Sequence, residues 1–146
     1  MKRKEVEQAV ECFKSGFSCS QAVLSAYAEQ FGLDKTTALK VSGAFGGGIA
    51  GMAGTCGTVT GAFMVIGLKY GKTKAQDDEA KKKTYALVKE FIKRFKAKHS
   101  SIICRELLGC DISTDDGAKA FKEKKLMNTV CPGLVETAAE ILGEIL

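Results

Sequence analysis

The sequence predicts an all-α fold: one compact domain over residues 1–146, of about six to seven helices, around a central glycine-rich loop or hairpin. Three observations carry this. Apolar residues recur at the i, i+3, i+4 spacing of an amphipathic helix along most of the chain. The periodic segments open on Ser, Asp or Thr and close on Gly, as helices do. There is one proline in 146 residues, too few for a turn-rich all-β chain. With 45% hydrophobic and 27% charged residues, the chain matches neither a disordered protein nor a multi-span membrane protein.

The first helix is expected from Lys4 to Lys14, with Val6, Ala9, Val10 and Phe13 on one face and Ser15-Gly16 as its stop. A second runs from about Ser18 to Gln30 on a stripe of Cys19, Ala22, Val23, Ala26 and Tyr27. Asp34 is the expected N-cap of a short helix through Leu39 to Ala44. From Val41 to Leu68 there is no charged residue, and nine positions are glycine. The first part, GGGIAGMAG, reads as an irregular segment, because so many glycines cost helix stability. The second part carries a helical stripe of Cys56, Val59, Phe63, Ile66 and Tyr70, ended by Gly71.

Asp77 and Asp78 open a long helix to about Lys98. Its expected core stripe is Tyr85, Val88, Ile92 and Phe95, widened by Leu87 and Phe91, with most of its lysines on the solvated side. Ser100 or Ser101 is expected to cap a short helix, ICRELLG, and Thr114 to cap DDGAKAFKEKKL. The last helix should start at Cys131-Pro132, where proline's missing N–H costs nothing, and bury Leu134, Val135, Ala138, Ala139, Leu142 and Leu146.

Six cysteines are about 4% of the chain, below the roughly 8–10% of a disulfide scaffold. The N-terminus has positive charge but no apolar segment of a secretory signal, so a cytoplasmic setting with reduced thiols is expected. Cys19, Cys56, Cys104 and Cys131 share one feature: each falls in the first turn of a predicted helix or just before it, at the head of an apolar stripe. A helix N-terminus offers free N–H donors and partial positive charge, which favour the thiolate, the form that attacks electrophiles and binds metals. Four such starts meeting at one point could hold an iron–sulfur cluster or zinc. Gly54 and Gly57 beside Cys56 would let backbone N–H groups approach the sulfurs.

Two other readings stand beside this one. A metal-free thiol–disulfide enzyme or sensor would use Cys56 as nucleophile, given its glycine flanks. A structural or adaptor domain would simply pack its cysteines as small hydrophobes. No C-x-x-C pair occurs, and gaps of 37, 48 and 27 residues match neither a zinc ribbon nor a ferredoxin. Cys12, late in the first helix, and Cys110, six residues after Cys104, are resolving thiols for a neighbour or inert packed residues.

The segments GFSCSQAVL (16–24), FGGGIAGMAGTCGTVTGAFMVIGL (45–68), CRELLGCDIS (104–113) and CPGLVETAAEIL (131–142) together resemble a family of small redox-active proteins. That family is named for a C…GCAxxG…C…C cysteine signature. The resemblance spans nearly the whole chain in order, and its four signature cysteines carry over onto Cys19, Cys56, Cys104 and Cys131. Thr58 stands where the family usually has alanine, while the glycine spacing through Gly61 is kept. The resemblance implies a soluble, helical, bacterial-type protein with a redox or iron–sulfur role and no stated substrate. Related domains look to occur beside electron-carrying modules, which favours a cluster over a structural zinc.

Other functions find little support. The uncharged run is long enough to span a bilayer but too rich in glycine and hydroxyls, so no membrane insertion is expected. No G-x-x-x-x-G-K-[ST] phosphate loop is present. Net charge is +5, and the lysines of the 77–98 helix lack interleaved aromatics, so nucleic acid is not an expected partner. His99 reads as an exposed loop histidine, with a fifth ligand or a thiol's base as the alternative. The expected partner is an unidentified redox protein, and the glycine-rich hairpin would suit a homodimer interface.

Overall fold

In the computed structural model, which describes residues 3–146, the apolar stripes assemble around one hydrophobic core. The elements are α1 (Arg3–Lys14), α2 (Cys19–Ala28), α3 (Lys35–Ser42), α4 (Gly57–Tyr70), α5 (Asp78–His99), α6 (Cys104–Leu108), α7 (Asp115–Glu123), α8 (Leu126–Thr129) and α9 (Cys131–Ile145), with short 3₁₀ turns after α2 and α3. Among the described residues there is no β-strand, only an isolated antiparallel bridge between Thr55 and Ile103. No helix is long and apolar enough to cross a membrane among those residues.

The caps explain where the helices begin. Ser18 forms a reciprocal capping box with Gln21, satisfying two backbone donors at the start of α2. Asp34, Asp77 and Thr114 accept from Thr37, Ala80 and Gly117 at the starts of α3, α5 and α7. Packing then orders them. α4 is buried nearly all round, lying against α2, α5 and α9, while α9 also meets α1. The Tyr27 hydroxyl, fully buried, donates to the Ala139 carbonyl at 2.7 Å and ties α2 to α9. No buried side-chain nitrogen or oxygen lacks a partner among the described residues.

Four expectations change. Along α5 the buried residues are Phe91 and Phe95, with Thr84, Leu87 and Val88 half-buried beside them, and Tyr85 is 57% exposed. The stripe turns about Phe91, which meets Phe63 edge-on and stacks on Phe95, and this rotates Tyr85 outward. Neither Ser100 nor Ser101 is the N-cap of α6. Ile103 holds that position, and the Ser101 hydroxyl accepts from the Ile103 N–H just ahead of it. The helix expected from Thr114 stops at Glu123, because Lys125 takes a left-handed conformation (φ 54°) that turns the chain and buries Leu126 at the start of α8. His99 is the last residue of α5, not a loop residue. It is half-buried, 2.8 Å from the Thr137 hydroxyl and beside the Phe95 ring.

Candidate functional site

Each of the four aligned cysteines stands at a helix start: Cys19, Cys104 and Cys131 are first residues of α2, α6 and α9, and Cys56 is the N-cap of α4. Long-range backbone bonds bring two of these starts together. The Cys56 N–H donates to the Ile102 carbonyl at 2.8 Å, and the Cys104 N–H donates to the Gly54 carbonyl at 2.6 Å, on either side of the Thr55–Ile103 bridge.

What holds residues 53–55 in place for this clamp is an unusual turn. Gly47, Gly48, Ile49, Ala50 and Gly51 are all left-handed, with φ between 50° and 74°. That conformation costs roughly 1–2 kcal/mol for each non-glycine residue, and a β-branched residue such as Ile49 tolerates it least. Long backbone bonds offset the strain: the Ala53 and Gly54 N–H groups donate back to the Gly47 and Gly48 carbonyls at 3.0 and 2.8 Å. A side chain at Gly48 would lie within 2.5 Å of the Gly54 nitrogen, so the crossing requires glycine there.

A third start joins at Gly57. A Cβ there would lie 3.1 Å from the Ser20 nitrogen and 3.3 Å from the Cys19 Cβ. Its bareness therefore lets the start of α4 close on the start of α2, a packing role beyond the one expected of it. Gly54 contributes through its carbonyl rather than as part of the cavity wall.

The four cysteines line a single cavity of about 340 Å³, together with Gly57, Phe13, Phe17, Leu107, Phe121, Met127 and other apolar residues. Among the described residues, no charged side chain lines it. Cys56, Cys104 and Cys131 are buried, Cys19 is half-buried, and all four are free thiols. Their electrostatics confirm that they are neighbours. Cys131 is pulled below the usual thiol range by hydrogen bonding with Cys19, against the effect of burial. The same contact, then burial, then the nearby sulfurs of Cys56, Cys131 and Cys104 push Cys19 well up. Burial raises Cys56, opposed by the Thr58 hydroxyl 3.1 Å from its sulfur. Cys104 is pushed up to about 12 by burial and by Cys56 and Cys131.

Among the described residues, no three His, Cys, Asp or Glu side chains are disposed to hold a metal ion. His99 does not line the cavity. Cys12 lies outside it, half-buried, 3.6 Å from the Ser25 hydroxyl, while Cys110 is half-buried and close enough to Cys104 to raise it. Two features are illegible in the sequence. One is the apolar wall supplied by α7 and α8, whose only forward sign is the lone aromatic Phe121 among charged neighbours. The other is the Cys56–Thr58 pair, because nothing in the sequence says that the Thr58 hydroxyl turns back to the sulfur two residues before it.

No curated protein and no solved structure matches the chain. The family described as "Putative redox-active protein (C_GCAxxG_C_C)" matches residues 17–145, a span that holds all four cavity cysteines. With its signature thiols gathered around one cavity, the chain belongs to the C_GCAxxG_C_C family.

Proposed function

We propose that this domain is a one-electron carrier or redox sensor whose cavity holds an iron–sulfur cluster on Cys19, Cys56, Cys104 and Cys131. The observation that carries the reading is the presence of all four family cysteines, unpaired, on one uncharged apolar cavity. Four thiols on one cavity are the ligand number of an iron–sulfur cluster, in which metal and sulfide atoms lie between the ligands.

The energetics of the donor set favour a cationic guest. Cys131 and then burial push Cys19 up, burial and the neighbouring sulfurs push Cys56 and Cys104 up, and among the described residues no basic side chain lines the cavity to compensate four thiolates. A bound cluster would supply reversible one-electron transfer. The chain's own residues would set its environment: Phe13, Leu107 and Leu134 exclude water, and Thr58 is placed at the Cys56 sulfur. The test is iron and acid-labile sulfide analysis with an absorption spectrum on anaerobically prepared protein. Iron and sulfide that fall together on replacing any of the four cysteines, but not Cys12, support the reading. A colourless, iron-free protein refutes it.

The placing of Cys19 and Cys131 on one cavity, each shifting the other's ionisation, favours a second reading, a metal-free dithiol. Here one thiol of the pair is the attacking thiolate and the other resolves it, beside Cys56, the nucleophile that its glycine flanks suggest. Two thiols would give their two electrons and protons to a partner disulfide, leaving a Cys19–Cys131 disulfide and two partner thiols. Mild oxidation of metal-free protein followed by peptide mapping should recover this pair first. Six intact thiols would exclude it.

A further inference from the structure

We infer that the outer part of the cavity binds a small, uncharged, mainly apolar aromatic molecule, which enters between Phe17 and Met127 and rests on the wall that Phe121 and Met127 form. The inference rests on the reading of this cavity as the redox site and names the kind of molecule that approaches it.

A volume of about 340 Å³ lies at the lower end of the range of ligand pockets, roughly 300–1,000 Å³, and far above the small voids of an ordinary core. The walls select the ligand. Among the described residues no charged side chain lines the space, so phosphates, carboxylates and nucleotides would be stripped of water with no side chain to pair with, and the helix starts already face the sulfurs. No buried polar side-chain atom among the described residues lacks a partner, so nothing there calls for a filling of ordered water.

The walls come from two sets of elements. The thiols come from the starts of α2, α4, α6 and α9, whereas Phe121 and Met127 come from α7 and α8, which carry no cysteine. On this inference a metal centre on the sulfurs leaves the second wall uncovered. Phe17 is 39% exposed and Met127 55% exposed, yet both line the cavity, which marks them as its mouth. Phenylalanine offers a flat face for an aromatic ring, and methionine adapts to the shape of what enters.

The test is a fluorescence titration with the uncharged probe N-phenyl-1-naphthylamine, on protein as isolated and after chelator stripping. Saturable binding of one probe per chain is expected in both. Met127→Glu and Phe17→Asp, both at exposed positions that should not disturb folding, should weaken it about ten-fold or more by placing a charge in the mouth. Tyr85→Glu, exposed on α5 and outside the cavity, should leave it unchanged.

Absent saturation, or equal binding by all three variants, overturns the inference. So does binding only after stripping, since the space would then belong to the metal centre alone. Affinity that rises as the protein is diluted would assign the cavity to a second copy of the chain, and also overturns it. Metal analysis separates the two ideas: probe binding without iron sinks the cluster and leaves this site standing, while iron without probe binding does the reverse.

Discussion

Gly61 and Gly67 lie on the same helix, α4, and their replacement by alanine should have opposite effects. A Cβ on Gly61 would lie 2.9 Å from the Ser20 carbonyl oxygen, 3.2 Å from the Ser20 Cα and 3.3 Å from the Val23 Cβ. Two of those atoms are backbone, so relief requires α2 itself to move away from α4. Such overpacking costs about 1–3 kcal/mol, while alanine regains roughly 0.8–1 kcal/mol of helix propensity over glycine. The net is a loss of roughly 0–2 kcal/mol.

Gly67 has nothing within 4 Å of the corresponding point. Gly67→Ala therefore keeps only the propensity gain, about 0.5–1 kcal/mol. Propensity cancels between the two variants, leaving the overpacking cost, about 1–3 kcal/mol, as their difference. For a chain of this length about 1 kcal/mol corresponds to roughly 3 °C, so the melting temperatures should differ by about 3–9 °C. Thermal melts of reduced, chelator-treated protein measure this directly. Two variants melting within about 1 °C of each other would refute the close contact of α2 with α4 that sets Cys19 beside Cys56.

Two further outcomes follow from single contacts. Burial, and then Lys98, hold the His99 pKa below its ordinary value of 6.5. Between 6.5 and that lower value the unfolded chain takes the proton first, so His99's contribution is complete above 6.5 and is lost as pH falls through the window. The urea midpoint of the parent should therefore drop more from about pH 7.5 to about pH 5 than that of His99→Gln, and equal drops would show that this histidine is not coupled to folding. Tyr27→Phe removes the buried bond to the Ala139 carbonyl and should cost about 0.5–1.5 kcal/mol in urea unfolding, with the m-value unchanged. A variant as stable as the parent would mean that the bond contributes nothing net.

What could be read from the sequence was local. Ser18, Asp34, Asp77 and Thr114 announce helix starts because a cap acts on N–H groups two or three residues away. The stripes of α1 and α9 are legible because helical neighbours lie three or four residues apart, whereas α4, buried nearly all round, has no single face to read. The same rules put four cysteines at helix starts, and the family signature independently names those four. Tyr85 and Lys125 escaped because their positions answer to distant partners: the packing of Phe91 on Phe63, and the burial of Leu126.

The sequence alone thus determined the helical class, most helix boundaries and the identity of the four cysteines. Only the tertiary structure decided that their helix starts share one cavity, that Cys19 is the neighbour of Cys131, and that α7 and α8 wall the space in front of them. The physical reason is range. Separations of 37, 48 and 27 residues lie far beyond any capping or periodicity rule. What closes them is a strained left-handed turn at 47–51, a backbone clamp from Ala53–Cys56 to Ile102–Arg105, and a bare glycine where α4 meets α2.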